Sequence, residues 1–101
     1  MKKIALVCNA GMSTSLIVTR MQKEAAAQGV ECEIKAFPVL EGMDGIAKDY
    51  DVLLVGPQVR HALKPLKEAM GDTPVEVIDM RSYGMMDAKA ILKQALDAIK
   101  E

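Results

Sequence analysis

The sequence is poor in the residue types on which several common functions depend. Its 101 residues include one phenylalanine, two tyrosines and no tryptophan, and its formal net charge is −1. A nucleic-acid-binding domain usually presents a basic face or several stacking rings, so this class of function is not expected. With one histidine and two cysteines that lack C-x-x-C spacing, the sequence predicts neither a metal site nor a bound cofactor.

Long apolar segments are missing as well. The longest uninterrupted apolar run is Ile4 to Cys8, which is too short for a transmembrane helix or for the apolar region of a signal peptide. Half of the residues are apolar and 27% are charged, which suffices for a buried core. We therefore expect one domain over residues 1–101, located in the cytoplasm and not embedded in a membrane.

Four short segments have the patterns of β-strands. Two are continuous apolar runs, typical of strands covered on both faces, and two are amphipathic. The apolar runs are residues 4–7 and 52–55, and the amphipathic segments are residues 30–36 and 75–78. Because the apolar strands belong in the centre of a sheet, the pattern predicts an α/β fold. Its four-stranded parallel sheet would have the order 2-1-3-4, a flavodoxin-like arrangement with helices on both faces.

Apolar residues at helical spacing predict three helices, with end signals at each. The helices are predicted over residues 13–28, 59–70 and 88–99. Gly29 is expected to close the first helix in a left-handed conformation, and Asp87 to cap the third. Pro65 should kink or restart the second.

Cys8 is the residue most suited to chemistry. It ends the first strand beside the third, where the connections are expected to diverge and where parallel sheets bind ligands. The loop that follows it, up to the first helix, consists of Asn9, Ala10, Gly11, Met12, Ser13, Thr14 and Ser15. Backbone N–H groups at a helix start, together with three hydroxyls, can hold an anion, and the same helix end favours a thiolate. We predict that Cys8 attacks a phosphoryl group whose oxygens this loop holds.

Structural explanations stand beside this prediction. A cysteine that ends a buried strand is often inert packing, and Cys32, which has no such loop, is assigned that role. Gln58, after the third strand, is predicted either to donate to a phosphate oxygen or to satisfy backbone groups at a helix start. His61 is expected to face water and Asp79 to cap the following turn. Tyr83 is expected either to cover the rim of the site or to contribute to it.

The sequence closely resembles a known family over essentially the whole chain. Residues 3–18, residues 55–58 and residues 74–79 are similar to the IIB component of the bacterial phosphoenolpyruvate-dependent sugar phosphotransferase system, of the lactose/cellobiose/chitobiose type. The segment C-x-A-G-M-S-T-S after an apolar strand is highly specific for it. The resemblance implies that Cys8 is a phosphocysteine, that residues 9–15 hold the phosphate, and that no cofactor is needed.

The resemblance also implies partners. Cys8 would accept phosphate from a phosphohistidine of the IIA component and pass it to a sugar bound by the membrane component IIC. The expected sugar is a β-linked disaccharide such as cellobiose or chitobiose. The chain would then meet IIC transiently at the inner face of the membrane. A monomer is expected, because a stable dimer would risk covering the crevice, and Met12 is predicted to belong to a docking surface used by both partners.

Two other functions remain open from the residues alone. Cysteine-dependent phosphatases and arsenate reductases of similar architecture carry C-x5-R, but the arginine position corresponds here to Thr14. No charged side chain occurs from Cys8 to Ser15, so a phosphoryl group would be held by neutral donors, which favours carrying it over hydrolysing it. The third possibility is a noncatalytic module that binds a small anion.

Overall fold

The fold is built on one parallel sheet with four strands. The computed structural model describes residues 1–8, 12–38 and 49–99. The strands are β1 (Lys2–Cys8), β2 (Cys32–Pro38), β3 (Val52–Val55) and β4 (Val75–Val77). They pair in the order β2-β1-β3-β4, and every pairing is parallel. The predicted strand order is confirmed, as is the central place of the two apolar strands.

The helices connect these strands and complete the chain. They are α1 (Met12–Ala27), a 3₁₀ helix (Pro57–Ala62), α2 (Leu63–Met70), α3 (Met80–Gly84) and α4 (Ala88–Ala98). Gly29 follows α1 with a φ of +72°, as predicted, and Val30 donates back to the Ala25 carbonyl. The Asp87 side chain accepts a hydrogen bond from the Ala90 N–H at 3.2 Å, which confirms it as the cap of α4.

Both faces of the sheet are covered by helices, as predicted. On one face, α1 and α4 pack against alternate residues of the strands; on the other, the 3₁₀ helix and α2 do so. Ile4 and Leu54 point to the first face, while Ala5 and Leu53 point to the second, and all four are fully buried. Burial on both faces explains why β1 and β3 are uninterrupted apolar runs.

Two elements differ in detail from the prediction. The helix predicted over residues 59–70 is divided: the 3₁₀ helix, which has a kink at Val59 (φ −118°), ends at Ala62, and α2 begins at Leu63. Pro65 then lies in the first turn of α2, where a missing N–H costs little. The short helix α3 was not predicted. For residues 38–50, Pro38, Gly42 and Gly45 predict at most a short helix, and most of this segment lies outside the described residues. Within the described part of the chain, no helix is long and apolar enough to span a membrane.

Candidate functional site

The ends of β1 and β3 form the point where the chain's connections diverge. Val7 is paired with Val55, and the Gly56 N–H donates to the Val7 carbonyl at 2.9 Å, which extends the pairing beyond β3. From here β1 leads to α1 on one face, and β3 leads to the 3₁₀ helix on the other. Such a divergence leaves a crevice at the carboxyl edge of a parallel sheet. Cys8, the last residue of β1, lies at this edge as predicted.

The amino-terminal end of α1 faces the same edge. The helix begins at Met12, and the N–H groups of its first turn have no acceptor within the helix. Its first turn carries no acidic residue to offset the positive end of the helix dipole. Ser15 is exposed in that turn, and its carbonyl accepts a hydrogen bond from the Thr19 hydroxyl at 3.0 Å. The arrangement is therefore suited to an anion.

Part of the predicted phosphate-binding loop is not described. Outside the described residues lie Asn9, Ala10 and Gly11, together with the side chains of Cys8, Met12, Ser13 and Thr14. Their predicted roles therefore stay predictions.

A cavity of about 460 Å³ opens beside this crevice. One wall is the 3₁₀ helix, which contributes the exposed side chains of Gln58, Arg60 and His61. The opposite wall is α3, which contributes Met80 and Tyr83. Gln58 is thus at the predicted edge, two residues after the Gly56 that pairs with β1. His61 is exposed, as predicted.

The α3 wall is held by Asp79, which confirms the predicted capping role of this residue. The Asp79 carboxylate accepts hydrogen bonds from the Ser82 N–H at 3.0 Å and from the Ser82 hydroxyl at 3.1 Å. The Ser82 N–H holds the pKa of this carboxyl below its usual value, and the Ser82 hydroxyl and Arg81 add to the effect. Tyr83, predicted either to cover the rim of the site or to contribute to it, is buried in α3, where it packs against the core and lines the cavity.

Two arginines, Arg20 and Arg60, are the first cations that follow the ends of β1 and β3 in sequence. The Arg20 guanidinium, the first charged group after Cys8, donates to the Met86 carbonyl at 3.4 Å. Arg60 lines the cavity, a role that sequence reasoning missed. The only signal for it was the position of residues 56–60 immediately after a central strand.

Cys32 lies at the other edge of the sheet. It begins β2 and is paired with Lys2, whereas Cys8 is paired with Pro38 at the far end of the same ladder. The two positions are six residue steps apart along the ladder, a distance of roughly 20 Å. Burial raises the pKa of the Cys32 thiol, an effect that Lys2 and the amino terminus only partly offset. Cys32 is therefore poorly placed for nucleophilic chemistry, in agreement with its assigned structural role.

Comparison with known proteins places this architecture in a family. A family model described as "PTS system, Lactose/Cellobiose specific IIB subunit" matches residues 3–94. The oligo-beta-mannoside-specific EIIB component of Bacillus subtilis (strain 168) is 46% identical over 101 residues, with 95% of this chain and 94% of that protein covered. The cellobiose-specific EIIB component of Lactococcus lactis subsp. lactis (strain IL1403) is 44% identical, with 93% of each chain covered.

Solved structures agree with these matches. The cellobiose-specific IIB component from Borrelia burgdorferi superposes with a TM-score of 0.78 at 34% identity, covering 97% of this chain and 91% of that one. The lactose-specific IIB domain from Streptococcus pneumoniae has the same TM-score at 19% identity and 98% coverage of both chains, which shows the shared fold. With the family model and the relatives both spanning nearly its whole length, this chain belongs to the lactose/cellobiose-specific IIB family of the phosphoenolpyruvate-dependent sugar phosphotransferase system.

Proposed function

We propose that Cys8 is the residue on which this sugar phosphotransferase component carries the phosphoryl group. The observation that carries the proposal is the position of Cys8. It ends a central strand where the connections diverge, and the amino-terminal end of α1 follows it. The N–H groups of that helix end, which find no acceptor within the helix, and the helix dipole favour both a thiolate and a bound phosphate. In this proposal residues 9–15 hold the phosphate oxygens, and Gln58 donates from across the crevice.

The reaction would consist of two displacements at phosphorus. In the first, the Cys8 thiolate attacks the phosphorus of a phosphohistidine on the IIA component. The S–P bond forms, the P–N bond breaks, and the imidazole leaves with the electron pair. In the second, a sugar hydroxyl oxygen attacks the same phosphorus, the S–P bond breaks, and the hydroxyl proton passes to a base in the complex with IIC. The Cys8 thiolate is regenerated, so no cofactor is consumed.

The chemistry of the site favours carrying the phosphoryl group over hydrolysing it. The loop has no arginine, and Arg20, the first cation after it, is directed to the Met86 carbonyl. An arginine would bind the phosphate oxygens in a bidentate manner and stabilise the charge that develops during hydrolysis. Neutral donors hold the group less tightly, and so it remains available to the sugar.

Membership of the family implies IIA as donor and IIC as acceptor, and we propose that both dock at the carboxyl edge. Exposed apolar side chains lie there: Met80 and Met85 are 60% and 67% exposed at the two ends of α3, and Leu16 is 45% exposed in the second turn of α1. Methionine adapts to more than one partner surface. Met12 is proposed to extend this surface.

We also propose that the chain is a monomer, because a dimer would risk covering this surface. It is proposed to form one domain, to act in the cytoplasm and to meet IIC at the membrane.

The sugar is proposed to be a β-linked disaccharide such as cellobiose or chitobiose. The relatives are named for oligo-beta-mannoside, galactose and cellobiose at nearly equal identities of 46%, 44% and 44%. Similarity over the IIB chain therefore does not separate these sugars. The assignment follows from the resemblance to the family branch, in which IIC selects the sugar.

The experiment is transfer of radiolabelled phosphate from the phosphorylated IIA protein of the same cells to this chain. Label should be lost in Cys8→Ser and kept in Cys32→Ser, which is a matched control because it replaces the other cysteine in the same fold. Retention of label in Cys8→Ser, or its loss in Cys32→Ser, would contradict the proposal. Brisk release of inorganic phosphate from the labelled wild-type protein would instead support a phosphatase.

A further inference from the structure

The side-chain amide of Gln94, on α4, forms hydrogen bonds along the outer side of β4, the last strand in the sheet order. Its Nε2 donates to the Val77 carbonyl at 2.8 Å, and its Oε1 accepts from the Asp79 N–H at 3.2 Å. In a parallel sheet, one residue of a neighbouring strand bonds to the carbonyl of one residue and to the N–H of the residue two positions later, here Val77 and Asp79. The N–H of Ile78, which lies between them in sequence, points the opposite way and donates to the Val55 carbonyl of β3 at 2.8 Å. The Gln94 amide thus makes the two hydrogen bonds that one residue of a fifth strand would make with β4.

This pairing fixes the start of α3. Asp79 is the residue whose N–H the Gln94 amide holds, and its carboxylate caps α3 through Ser82. The Asp79 carbonyl also accepts from the Tyr83 N–H at 2.9 Å. A helix of five residues has too few internal hydrogen bonds to be stable by itself. Its position therefore depends on the anchored residue at its start.

The position of α3 in turn sets the shape of the cavity at the carboxyl edge. Met80 and Tyr83 form the wall opposite Gln58 and Arg60. Met80 follows Asp79 directly, so a shift of Asp79 moves the exposed Met80 side chain with it. A partner that contacts this edge would then meet a different surface.

From these contacts we propose that Gln94 is a positioning residue for phosphoryl transfer, acting through Asp79 and α3 on the surface that the phosphorylated donor contacts. The inference rests on the proposed function, since it takes the carboxyl edge to be the docking side. Gln94 itself lies on α4 and is not among the described residues that line the cavity, so it acts through α3 and not by contact with a bound group.

The test replaces Gln94 by methionine, which keeps the length of the side chain and removes its hydrogen-bonding groups. Initial rates of label transfer are measured against the concentration of the phosphorylated IIA protein. We expect the half-saturating concentration to rise about fivefold or more, because the docking surface is no longer held in place. The rate at saturation should stay within about twofold, because the groups around Cys8 are unchanged.

Gln22→Met is the matched control. Gln22 also lies on a helix and donates from its side-chain amide to an edge strand, at 3.2 Å to the Ile34 carbonyl of β2. That contact lies away from α3, so neither kinetic quantity should change. An unchanged half-saturating concentration in Gln94→Met, or an equal rise in both variants, would overturn the inference.

Methionine methyl NMR gives a second readout that does not depend on activity. In Gln94→Met the Met80 and Met85 methyl signals should move, while those of the core residues Met21 and Met70 stay in place. An unmoved Met80 signal would contradict the inference. If Gln94→Met does not fold, Asp79→Ala removes the cap of α3 directly and should raise the half-saturating concentration in the same way.

The failure of this inference can be told from the failure of the proposed function. If the wild-type chain takes no label on Cys8, the proposed function is wrong. If the wild type is labelled normally on Cys8 and Asp79→Ala and Gln94→Met both behave like it, only the role of Gln94 is wrong.

Discussion

The carboxyl and amino edges of the sheet each have a cysteine and a cavity. The carboxyl edge lies at the amino-terminal end of α1, and the amino edge lies at its carboxyl-terminal end. The cavity at the carboxyl edge measures about 460 Å³, and the one at the amino edge, which Cys32 lines, about 520 Å³. Size therefore does not distinguish them. Helix α1 begins just after Cys8, whereas its carboxyl-terminal part, including Ala25 and Ala26, lines the cavity beside Cys32. The positive helix end favours a thiolate and the negative end opposes it, so the direction of the helix separates a candidate nucleophile from a structural thiol.

The largest expected effect is a difference in thiol reactivity between the two edges. With iodoacetamide at neutral pH, Cys8 should be alkylated about a hundred times faster than Cys32, because the helix start favours the Cys8 thiolate while burial raises the pKa of the Cys32 thiol. Peptide mapping over a time course measures both rates in one sample. The Cys32 rate should increase only toward alkaline pH, where its thiolate forms. Equal rates for the two cysteines at neutral pH would remove the distinction between the edges.

An intermediate effect is expected from a cation introduced at the carboxyl edge. Thr14→Arg puts an arginine at the C-x5-R spacing of the phosphatases, and we expect the phosphorylated protein to lose phosphate to water about ten times faster. Thr19→Arg is the control: it adds the same charge to α1 more than one turn further along. The release of inorganic phosphate from the labelled proteins measures the effect. An unchanged lifetime in Thr14→Arg, or the same change in both variants, would show that the lack of an arginine in the loop after Cys8 does not protect the phosphoryl group.

The smallest expected effect concerns the pH dependence of α3 at the carboxyl edge. The folded-state pKa of Asp79 lies below its unfolded value because of the Ser82 N–H. Its charged cap therefore contributes to stability at neutral pH, and this contribution is lost as pH falls through the folded-state pKa. Asp79→Asn keeps an acceptor without the charge. The difference in melting temperature between wild type and Asp79→Asn should shrink on acidification below the ordinary carboxyl range, and a constant difference would contradict this role of the charge.

Much of the fold could be predicted from local patterns. The apolar runs at residues 4–7 and 52–55 indicated the central strands, and their burial on both faces explains why the pattern was sufficient. Gly29 and Asp87 were predictable because a left-handed helix end and a helix cap each require particular residue types. These features depend on neighbours in sequence, which the sequence displays directly.

Features that depend on tertiary contacts were not predictable in the same way. Helix α3 has only five residues and no apolar stripe. It begins directly after Asp79, whose N–H donates to the Gln94 side chain. Gln94 looks like an ordinary polar residue of an amphipathic helix, since only the approach of α4 to β4 gives its amide partners. The same holds for the candidate site. The position of Cys8 at the carboxyl edge could be predicted from the strand order, whereas the tertiary fold alone brings Arg60 and Met80 to one cavity.

Mass mapping of the phosphorylated chain shows directly which residue carries the phosphoryl group. After incubation with the phosphorylated IIA protein, the chain is digested under conditions that preserve phosphocysteine, and the peptides containing residues 8 and 32 are sequenced by mass spectrometry. We expect the mass of one phosphoryl group on Cys8 and none on Cys32. An unmodified Cys8, with the group on Cys32 or on any other residue, would contradict the role proposed for Cys8.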